Sequence, residues 1–303
     1  MITRNLLYLA MLATAAVWGG SFVLMKDAIV QQDVYSFLST RFILAALLMI
    51  AYRPTVFRGL TFKFIKQGVL AGILLGGGFI FQTFGLANTT VSNTGFITGM
   101  YLVFTPLISM IILKRKVLLA QWFAVAIAMV GLILISYNAS NPSTGQNSTL
   151  ISYNGIAIIT GQTLVLISAF IYGAHFVALG EWSDGKNTYA LTLIQIMTIA
   201  AMSTVFAFIN GFQMPPNASV WQAILFTAVF ATFIGFLVQT KAQSVMSATA
   251  ASVLLAMETP FALFFGLFFN NDPLTLRIIV GGSLVMTAMG VVIWSDKEKK
   301  TTS

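Results

Sequence analysis

Glu258 is the residue in this sequence whose type and position are most suited to chemistry. It lies in the apolar run 247–268, about eleven residues from the start of that run. A charged side chain at the centre of a bilayer costs at least about 2.5–3.5 kcal/mol on insertion scales. The carboxyl must therefore face a polar cavity, pair with a base or hold a proton. Because desolvation disfavours its charged form, it could bind a proton on one side of a membrane and release it on the other.

A structural role for Glu258 is the alternative interpretation. Pro260 follows two residues later, and a proline leaves one helix carbonyl without its partner amide. A protonated Glu258 could donate a hydrogen bond to the backbone there, which would satisfy both groups inside the membrane.

Two basic side chains also lie within apolar runs. His175, the only histidine, belongs to the run 155–179, and we expect it only a few residues from the cytoplasmic end of that span. An imidazole titrates near neutral pH and could gate or relay a proton, although single helical histidines more often bond a neighbouring helix. Arg41 lies about a third of the way into its run from the outer face. It could bind a substrate carboxylate, but we favour a structural pairing with an external acid such as Asp33.

Five further polar or amphipathic side chains could line a cavity. They are Trp18, Tyr101, Asn93, Gln82 and Gln239. Aromatic side chains in membrane helices usually pack, and helical phase alone does not say which way a residue points. The sequence therefore predicts these residues as candidates for substrate binding and leaves their orientation open.

Other kinds of chemistry find no support in the sequence. The chain has no cysteine, which excludes disulfides and thiolate metal sites. One histidine and scattered acids cannot supply three metal ligands, and no glycine-rich phosphate loop with its lysine is present. We therefore expect no cofactor, no metal and no use of ATP.

A polytopic enzyme acting on lipid is the weaker alternative, because the single histidine has no acid at the midplane of a nearby span. A non-transporting membrane scaffold is the other alternative.

The composition requires membrane helices to position these residues. Of 303 residues, 58% are hydrophobic and 8% are charged, whereas a soluble domain carries about 25% charged residues. A helix needs about 20 apolar residues to cross a bilayer. Ten such runs occur, at about 6–25, 34–52, 67–86, 93–113, 118–137, 155–179, 189–209, 221–240, 247–268 and 275–294. The first resembles a signal peptide, but its hydrophobicity continues to about Met25 and we expect it to remain uncleaved.

The basic residues predict the orientation of these spans. Counted from an inside amino terminus, thirteen of the sixteen Lys and Arg residues fall in inside segments: Arg4, Arg53, Arg58, Lys63, Lys66, Lys114, Arg115, Lys116, Lys186, Lys241, Lys297, Lys299 and Lys300. This positive-inside bias predicts an integral protein of the bacterial cytoplasmic (inner) membrane with both termini cytoplasmic. The basic excess sets orientation, so we expect the lipid bilayer and a small-molecule substrate as partners, and no nucleic acid.

The chain divides into two similar halves. The uncharged polar segment 138–154 is typical of an external linker, and residues 296–303 form a charged cytoplasmic tail. A shift of 154 residues superimposes matching residues of the second half on the first: Tyr172 on Trp18, Gly173 on Gly19, Phe176 on Phe22, Tyr189 on Tyr35, and Thr259–Pro260 on Thr105–Pro106. We predict two five-helix repeats, 1–137 and 155–295. Because five is odd, the second enters the membrane from the opposite side, and inverted repeats in transporters enclose the substrate site near the midplane.

The same shift pairs residues of different chemistry. Glu258 falls on Phe104, His175 on Ser21 and Gln195 on Arg41. We therefore expect one half to supply the titrating carboxyl and the other an apolar wall. Because Ser21 cannot carry protons, we expect His175 to modulate turnover without being indispensable.

Six segments carry a resemblance to a known family. They are "VWGGSFVLMKDA" (17–28), "TRFILAALL" (40–48), "VSNTGFITGMYLVFTPLISMIIL" (91–113), "QWFAVAIAMVGLIL" (121–134), "FLVQTKAQ" (236–243) and "LLAMETPFALFFGLF" (254–268). Together they resemble the drug/metabolite transporter superfamily, specifically its EamA-type branch. The resemblance implies an all-α polytopic membrane protein of ten helices in two inverted repeats that transports small organic metabolites. One departure is "LKRK" after the fourth span, where the family often has an acidic residue.

The leading hypothesis is therefore a secondary transporter working by alternating access. One buried acid with a basic group above it suits a zwitterion such as an amino acid, whereas the same acid in an aromatic cavity suits an amphipathic or cationic compound. The resemblance favours efflux over uptake, and Glu258 makes proton coupling an option. The sequence leaves monomer and homodimer open.

Overall fold

The computed structural model describes residues 4–89, 91–114, 118–136, 152–153, 156–157, 161–183, 187–270 and parts of 276–291. Within these residues the regular secondary structure is helical apart from one pair of two-residue strands. Eight of the described helical segments are long and apolar enough to cross a membrane, and two shorter apolar helices are Leu119–Gly131 and Ile279–Ala288. The predicted all-α polytopic membrane fold is confirmed. Most of the predicted linker 138–154 and the whole tail 296–303 lie outside the described residues.

The first half contains six helical elements. These are α1 (Arg4–Gln31), α2 (Val34–Tyr52), α3 (Phe62–Ala87), α4 (Val91–Thr98), α5 (Tyr101–Leu113) and α6 (Leu119–Ser136). Side chains cap two of them, because Asp33 accepts a hydrogen bond from the Ser36 amide and Thr61 accepts one from the Phe64 amide. The elements α4 and α5 together form the fourth span.

The second half has the same order of spans. Strands β1 (Ser152–Tyr153) and β2 (Ile156–Ala157) precede α7 (Gly161–Trp182), α8 (Thr188–Ile209), α9 (Ala218–Phe226), a π-helical segment (Thr227–Ile234), α10 (Gly235–Gln243), α11 (Ala248–Leu255) and α12 (Glu258–Asn270). The π-helical segment joins α9 and α10 into the eighth span, and α11 with α12 forms the ninth.

The sixth span begins later than the predicted residue 155. Ile156–Ala157 pairs with Ser152–Tyr153 as an antiparallel strand, and α7 starts only at Gly161. A short apolar run is compatible with either a strand or a helix, so periodicity alone misplaced this boundary. Helix α7 ends at Trp182, so His175 lies seven residues before the end of this helix.

The helices pack in pairs that exchange between the two halves. Helix α2 packs against α8, its counterpart in the other half. Helix α3 packs against α7. The repeat-related pair, α1 and the eighth span, also packs together. Helix α1 also packs against α12, as α7 does against α5. This exchange is the packing expected of two repeats related by a pseudo-two-fold axis.

Two glycines that match under the repeat shift, Gly19 and Gly173, allow close contact of α1 with α12 and of α7 with α5. A Cβ added to Gly19 would lie 2.6 Å from the Glu258 carbonyl oxygen and 2.6 Å from the Ala262 amide nitrogen. A Cβ added to Gly173, the matching glycine of α7, would lie 2.8 Å from the Cβ of Phe104. Small residues let membrane helices approach at backbone distance. The matching segments "WGGSF" (18–22) and "YGAHF" (172–176) therefore make equivalent helix crossings through these glycines.

The fourth and ninth spans are both interrupted. Helix α4 ends at Thr98 and α5 begins at Tyr101, while α11 ends at Leu255 and α12 begins at Glu258. Each interruption precedes a Thr-Pro pair, and the missing proline N–H removes one helical hydrogen bond from the preceding turn. The first residues of α5 and α12 are thereby brought to the interior between the two halves.

Candidate functional site

A cavity lies between the two halves, where the interrupted spans face α1, α3 and α7. Aromatic and apolar side chains such as Phe22, Phe79 and Phe236 form much of its wall, and a few polar groups project among them. Its volume is about 50 Å³, which has room for only a few water molecules. An apolar chamber with a few placed polar groups is the usual form of a small-molecule site.

The structure brings together seven of the eight candidate residues. Glu258, His175, Arg41, Trp18, Tyr101, Gln82 and Gln239 all line this cavity. The eighth, Asn93, belongs to α4, and its side chain lies outside the described residues. Residues from both repeats therefore meet at one place.

Glu258 is the first residue of α12 and only 4% of its surface is exposed. Among the described residues its carboxyl forms neither a hydrogen bond nor an ion pair. The alternative prediction of a bond to the backbone near Pro260 is therefore wrong. Two opposing effects act on the carboxyl, since burial disfavours its charged form and the amides at the helix start favour it.

Tyr101 has the same place in the fourth span that Glu258 has in the ninth. It is the first residue of α5, and its buried hydroxyl has no partner in the described part of the chain. The interruption lies three residues further from the Thr-Pro pair in the fourth span than in the ninth. Tyr101 therefore reaches the cavity, while Phe104 packs edge-to-face on Phe170 with ring centroids 5.5 Å apart. The prediction that Phe104 forms the apolar wall is wrong for this reason.

Arg41 is fully inside the protein, with 1% of its surface exposed. Its Nε donates to Thr232 Oγ1 at 2.9 Å, and its Nη1 contacts Met25 Sδ at 3.3 Å. The guanidinium carbon lies 5.2 Å from the ring centroid of Phe42 and 5.1 Å from that of Phe79. Cation–π attraction of this kind stabilises a positive charge away from water.

The predicted pair of Arg41 with Asp33 is not formed. The Asp33 carboxylate accepts hydrogen bonds from the amide of Ser36 at 3.0 Å and from its hydroxyl at 3.2 Å. Capping of α2 therefore holds Asp33 at the helix end, while Arg41 turns inward toward the aromatic rings. The prediction is wrong because aromatic faces and a hydroxyl, rather than an acid, stabilise this arginine.

His175 connects α7 to α8. Its Nε2 lies 2.7 Å from Gln195 Oε1, and Gln195 Nε2 donates to the Leu191 carbonyl at 3.1 Å. Because the Gln195 amide nitrogen is already a donor, its oxygen is the acceptor and His175 carries a proton on Nε2. The histidine thus makes an interhelical hydrogen bond while its ring lines the cavity.

A second set of hydrogen bonds connects three helices on the cavity wall. The Tyr172 hydroxyl donates to Gln82 Oε1 at 3.0 Å, and Gln82 Nε2 donates to Thr98 Oγ1 at 2.9 Å. These bonds connect α7, α3 and α4. Gln239 differs, because its Nε2 donates to Gln243 Oε1 at 3.2 Å while its Oε1 is buried without a described partner.

Sequence reasoning did not select Tyr172 as a site residue, although the repeat pointed to it. Tyr172 is the partner of Trp18, which was selected. Trp18 Nε1 donates to the Ala231 carbonyl at 2.8 Å, so each aromatic residue bonds the opposite repeat. The other wall residues that the sequence did not select as site candidates are Ser21, Phe22, Met25, Leu75, Phe79, Thr98, Phe176 and Phe236.

The π-helical segment of the eighth span supplies two of these contacts. Ala231 accepts from Trp18 and Thr232 accepts from Arg41, and both acceptors lie in this segment. π-Helical turns inside α-helices are frequent at functional sites. Nothing in the hydropathy of this span indicates the segment.

The cavity is lined by one acid, Glu258, and two basic side chains, Arg41 and His175, and in the described part of the chain Glu258 pairs with neither of them. Tyr172 lines the same cavity as Glu258 and Arg41. Two inverted helical repeats that enclose such a cavity inside a membrane define a carrier-type membrane protein. The chain belongs to the EamA-like transporter family, whose model matches residues 5–137 and 159–294. The resemblance seen in the sequence is confirmed.

Individual relatives agree with this membership. A protein of Archaeoglobus fulgidus named "Uncharacterized transporter" is 30% identical over 285 residues, which cover 94% of this chain and 84% of the relative. "Uncharacterized transporter YoaV" of Bacillus subtilis is 23% identical, over 91% of this chain and 93% of its own. A solved structure described as "Crystal structure of protein" has a TM-score of 0.76 at 14% identity and covers 98% of this chain and 99% of its own, which shows the fold alone. Family and relatives indicate a transporter rather than an enzyme.

Proposed function

We propose that this protein is a secondary transporter that exports a small organic metabolite in exchange for protons. The carried solute is an amino acid or an amphipathic, cationic compound, and Glu258 is the proton-exchanging group. One observation carries the proposal. The Glu258 carboxyl is buried in the cavity between the repeats and has no partner among the described residues.

Three cavity groups have no hydrogen-bond partner for one or more of their atoms among the described residues. They are the Glu258 carboxyl, Gln239 Oε1 and the Tyr101 hydroxyl. A buried polar group without a partner costs about 1–3 kcal/mol, so a ligand that satisfies it gains that amount. Two of the three are acceptors, which favours a solute with N–H donors such as an ammonium group. Trp18 and Phe236, with ring centroids 5.1 Å apart, supply aromatic faces for the same charge.

Arg41 supports a zwitterionic solute. A guanidinium has five N–H donors, and the described contacts of Arg41 use its Nε and Nη1. Its other donors are available to a carboxylate that enters the cavity. An amino acid would place its ammonium toward Glu258 and its carboxylate toward Arg41, which satisfies both charges without an ion pair between the residues.

Proton exchange follows from competition at one carboxyl. In the proposed cycle Glu258 holds a proton while no solute is bound, because burial disfavours its charged form. An ammonium group that binds there stabilises the charged form and replaces the proton. When the cavity opens to the opposite side, solute leaves and a proton returns. Solute therefore moves one way while protons move the other.

Alternating access exposes the substrate site first to one side of the membrane and then to the other. In inverted repeats the site lies at the repeat interface, and rocking of one repeat against the other exposes it to each side in turn. We place residues 1–137 and 155–295 in the two repeats, with 138–154 as the external linker and 296–303 as the cytoplasmic tail. The distribution of basic residues supports cytoplasmic termini in the bacterial inner membrane.

The test is solute flux with purified protein in liposomes. We expect the parent protein to accumulate labelled zwitterionic or cationic amino acids uphill when protons flow in the opposite direction. Glu258→Gln keeps the shape but cannot exchange a proton, so we expect accumulation to fall to the level seen without a pH gradient. Asp27→Asn is the matched control, since Asp27 is an exposed acid of the same chain and its loss leaves the accumulation unchanged. Uphill accumulation by Glu258→Gln at the parent level would contradict the proposal.

A further inference from the structure

Arg41 is a buried cation without an acidic partner among the described residues. It contacts Thr232 of the π-helical segment, Met25 of α1 and Phe79 of α3. The structure describes these three elements and α2 from end to end, and the only acid within them is Asp27, which is exposed. No carboxylate on the elements around Arg41 therefore balances its charge.

The aromatic rings beside Arg41 offset only part of the cost of burying it. The guanidinium carbon lies 5.1 Å from the ring centroid of Phe79 and 5.2 Å from that of Phe42. Cation–π attraction to two rings is weaker than the desolvation penalty of an ion inside a protein. Buried charges are for this reason usually paired with an opposite charge. A counter-anion at Arg41 is therefore favoured.

Arg41 also has N–H groups to bind such an anion. A guanidinium has five N–H donors, and the described contacts use one on Nε and one on Nη1. The other donors have no acceptor in the described part of the chain. A monatomic anion accepts hydrogen bonds from any direction, so it can accept two charge-assisted bonds from the edge of one guanidinium.

His175, the other basic side chain on the cavity wall, does not offer the same donors. Its Nε2 donates to Gln195 Oε1, so Nδ1 of the neutral ring is an acceptor. The Tyr101 hydroxyl is a donor on the same wall, because it is buried without a partner among the described residues. Arg41 is therefore the group of this cavity that attracts an anion, and Tyr101 can assist it.

The proposed cycle gives the cavity a net positive charge before solute binds. Glu258 then holds a proton and is neutral, whereas Arg41 keeps its charge at every physiological pH. The ring of His175 is neutral, and the phenols of Tyr101 and Tyr172 keep their protons. At this stage the titratable side chains of the cavity comprise one cation and no anion.

We propose that Arg41 binds a small inorganic anion such as chloride, which the carboxylate of the solute displaces. The proposal rests on the proposed function, which places that carboxylate on the same donors. The cavity has a volume of about 50 Å³, enough for a few water molecules. It therefore admits a halide but not a halide beside an amino acid, so anion and solute compete. Chloride balances the charge of Arg41 in the part of the cycle in which no solute is bound.

Thermal unfolding of the purified full-length protein in detergent detects this anion without any solute. A ligand that binds only the folded state raises the Tm in proportion to its occupancy. We expect a higher Tm in sodium chloride than in sodium gluconate at equal ionic strength, because gluconate is too large for the cavity. Arg41→Gln removes the charge and should have the same Tm in both salts. Arg58→Gln, which removes an exposed arginine, is the matched control and keeps the response.

Two results of this measurement would overturn the proposal. One is an equal Tm of the parent protein in the two salts. The other is an Arg41→Gln protein whose Tm responds to chloride as the parent does.

Competition with the solute tests the proposal in the parent protein, whether or not Arg41→Gln folds. At a chloride concentration ten times its own dissociation constant, we expect the apparent Kd of an amino acid to rise about ten-fold relative to gluconate, by mass action. Solute affinity that is independent of chloride would contradict binding at Arg41.

The charge of the cavity supplies a third arm. Rising pH ionises Glu258 in the parent and cancels the charge of Arg41, so we expect chloride affinity to fall. Glu258→Gln stays neutral, so its chloride affinity should persist over the same pH range. His175 is present in both proteins, and titration of its ring affects both alike. An equal fall in both proteins would contradict the proposed role of the net charge.

Failure of this proposal can be distinguished from failure of the proposed function, because chloride binding needs no solute. A chloride response that depends on Arg41, without any solute flux, would contradict the proposed function and leave the anion site supported. Proton-coupled flux without a chloride response would contradict the anion site and leave the proposed function supported.

Discussion

The fourth and ninth spans have the same interruption and present different chemistry at it. Tyr101 and Glu258 are the first residues after the two interruptions, and both line the central cavity. A phenol keeps its proton at physiological pH, whereas a buried carboxyl can exchange one. The comparison teaches that the fold is duplicated and the titrating group is not.

The first and sixth spans, which match under the repeat shift, also have different polar side chains at the same position. His175 bonds Gln195 across helices, whereas its partner Ser21 donates to the Trp18 carbonyl of its own helix at 2.7 Å. Arg41, the partner of Gln195, bonds Thr232 instead. Each repeat therefore joins its helices with different polar side chains at matching positions. The backbone symmetry survives because these substitutions keep the glycine crossings unchanged.

We expect the largest effect from an added methyl group at Gly19, compared with the same change at its repeat partner Gly173. Gly19→Ala would bring a Cβ to 2.6 Å from backbone atoms of Glu258 and Ala262, so α12 must move. At Gly173→Ala the nearest atom is the Phe104 Cβ at 2.8 Å, and the nearest backbone atom is 3.2 Å away. Overpacking costs about 1–3 kcal/mol, and we expect Gly19→Ala to lie at the high end and to abolish transport. Thermal unfolding in detergent measures the difference, and an equal shift in Tm for both variants would contradict the comparison.

The second effect concerns the phenol at the fourth-span interruption. Tyr101→Phe removes a hydroxyl that can bond the solute but leaves proton exchange at Glu258 intact. We expect solute affinity to fall about ten-fold, as for a lost hydrogen bond to a charged group, while uphill transport remains dependent on the pH gradient. Tyr52→Phe is the control, because Tyr52 is 77% exposed. Loss of pH dependence in Tyr101→Phe would show that the two interruptions share the titration.

The smallest effect is expected at the sixth span. His175→Gln removes a group that can titrate and retains a side chain able to bond Gln195. Interhelical hydrogen bonds in membranes are worth about 0.6 kcal/mol on average, so even complete loss of this bond would lower turnover only about three-fold, and we expect a fall no larger than that. Initial rates of flux at saturating solute measure this. Complete loss of transport with normal folding and solute binding would make His175 indispensable and refute the prediction.

Much of the fold could be predicted from the sequence, because long apolar runs have few alternatives in a membrane. The repeat shift identified matching positions such as Gly19 and Gly173, whose role as helix crossings needed the structure. The start of α7 was misplaced, since the apolar Ile156–Ala157 pairs as a strand. The interruption before Tyr101 was also not predicted, because its distance from Thr105–Pro106 differs from that in the ninth span. That difference of three residues decides which side chain reaches the cavity.

The sequence predicted the site residues whose charged side chains are costly to bury. It missed aromatic wall residues, whose burial costs nothing and which therefore do not stand out. Glu258 and Arg41 are conspicuous within apolar runs because charges are rare there. Phe79 and Phe236 resemble many other aromatic residues of the chain, and only packing shows that they face the cavity. The partner of Arg41 was predicted wrongly as Asp33, because sequence distance does not reveal that Asp33 caps a helix. The π-helical segment has no signature in hydropathy.

Proton release on solute binding is the most direct test of the central claim that one carboxyl exchanges proton for solute. Purified protein in weakly buffered detergent solution, near neutral pH, is mixed with the transported solute while a pH-sensitive dye records released protons. We expect about one proton per bound solute in the parent, because the ammonium group replaces the proton on Glu258. We expect none in Glu258→Gln, and solute affinity in the parent should rise with pH. Binding by the parent without proton release, or equal release by Glu258→Gln, would contradict the account.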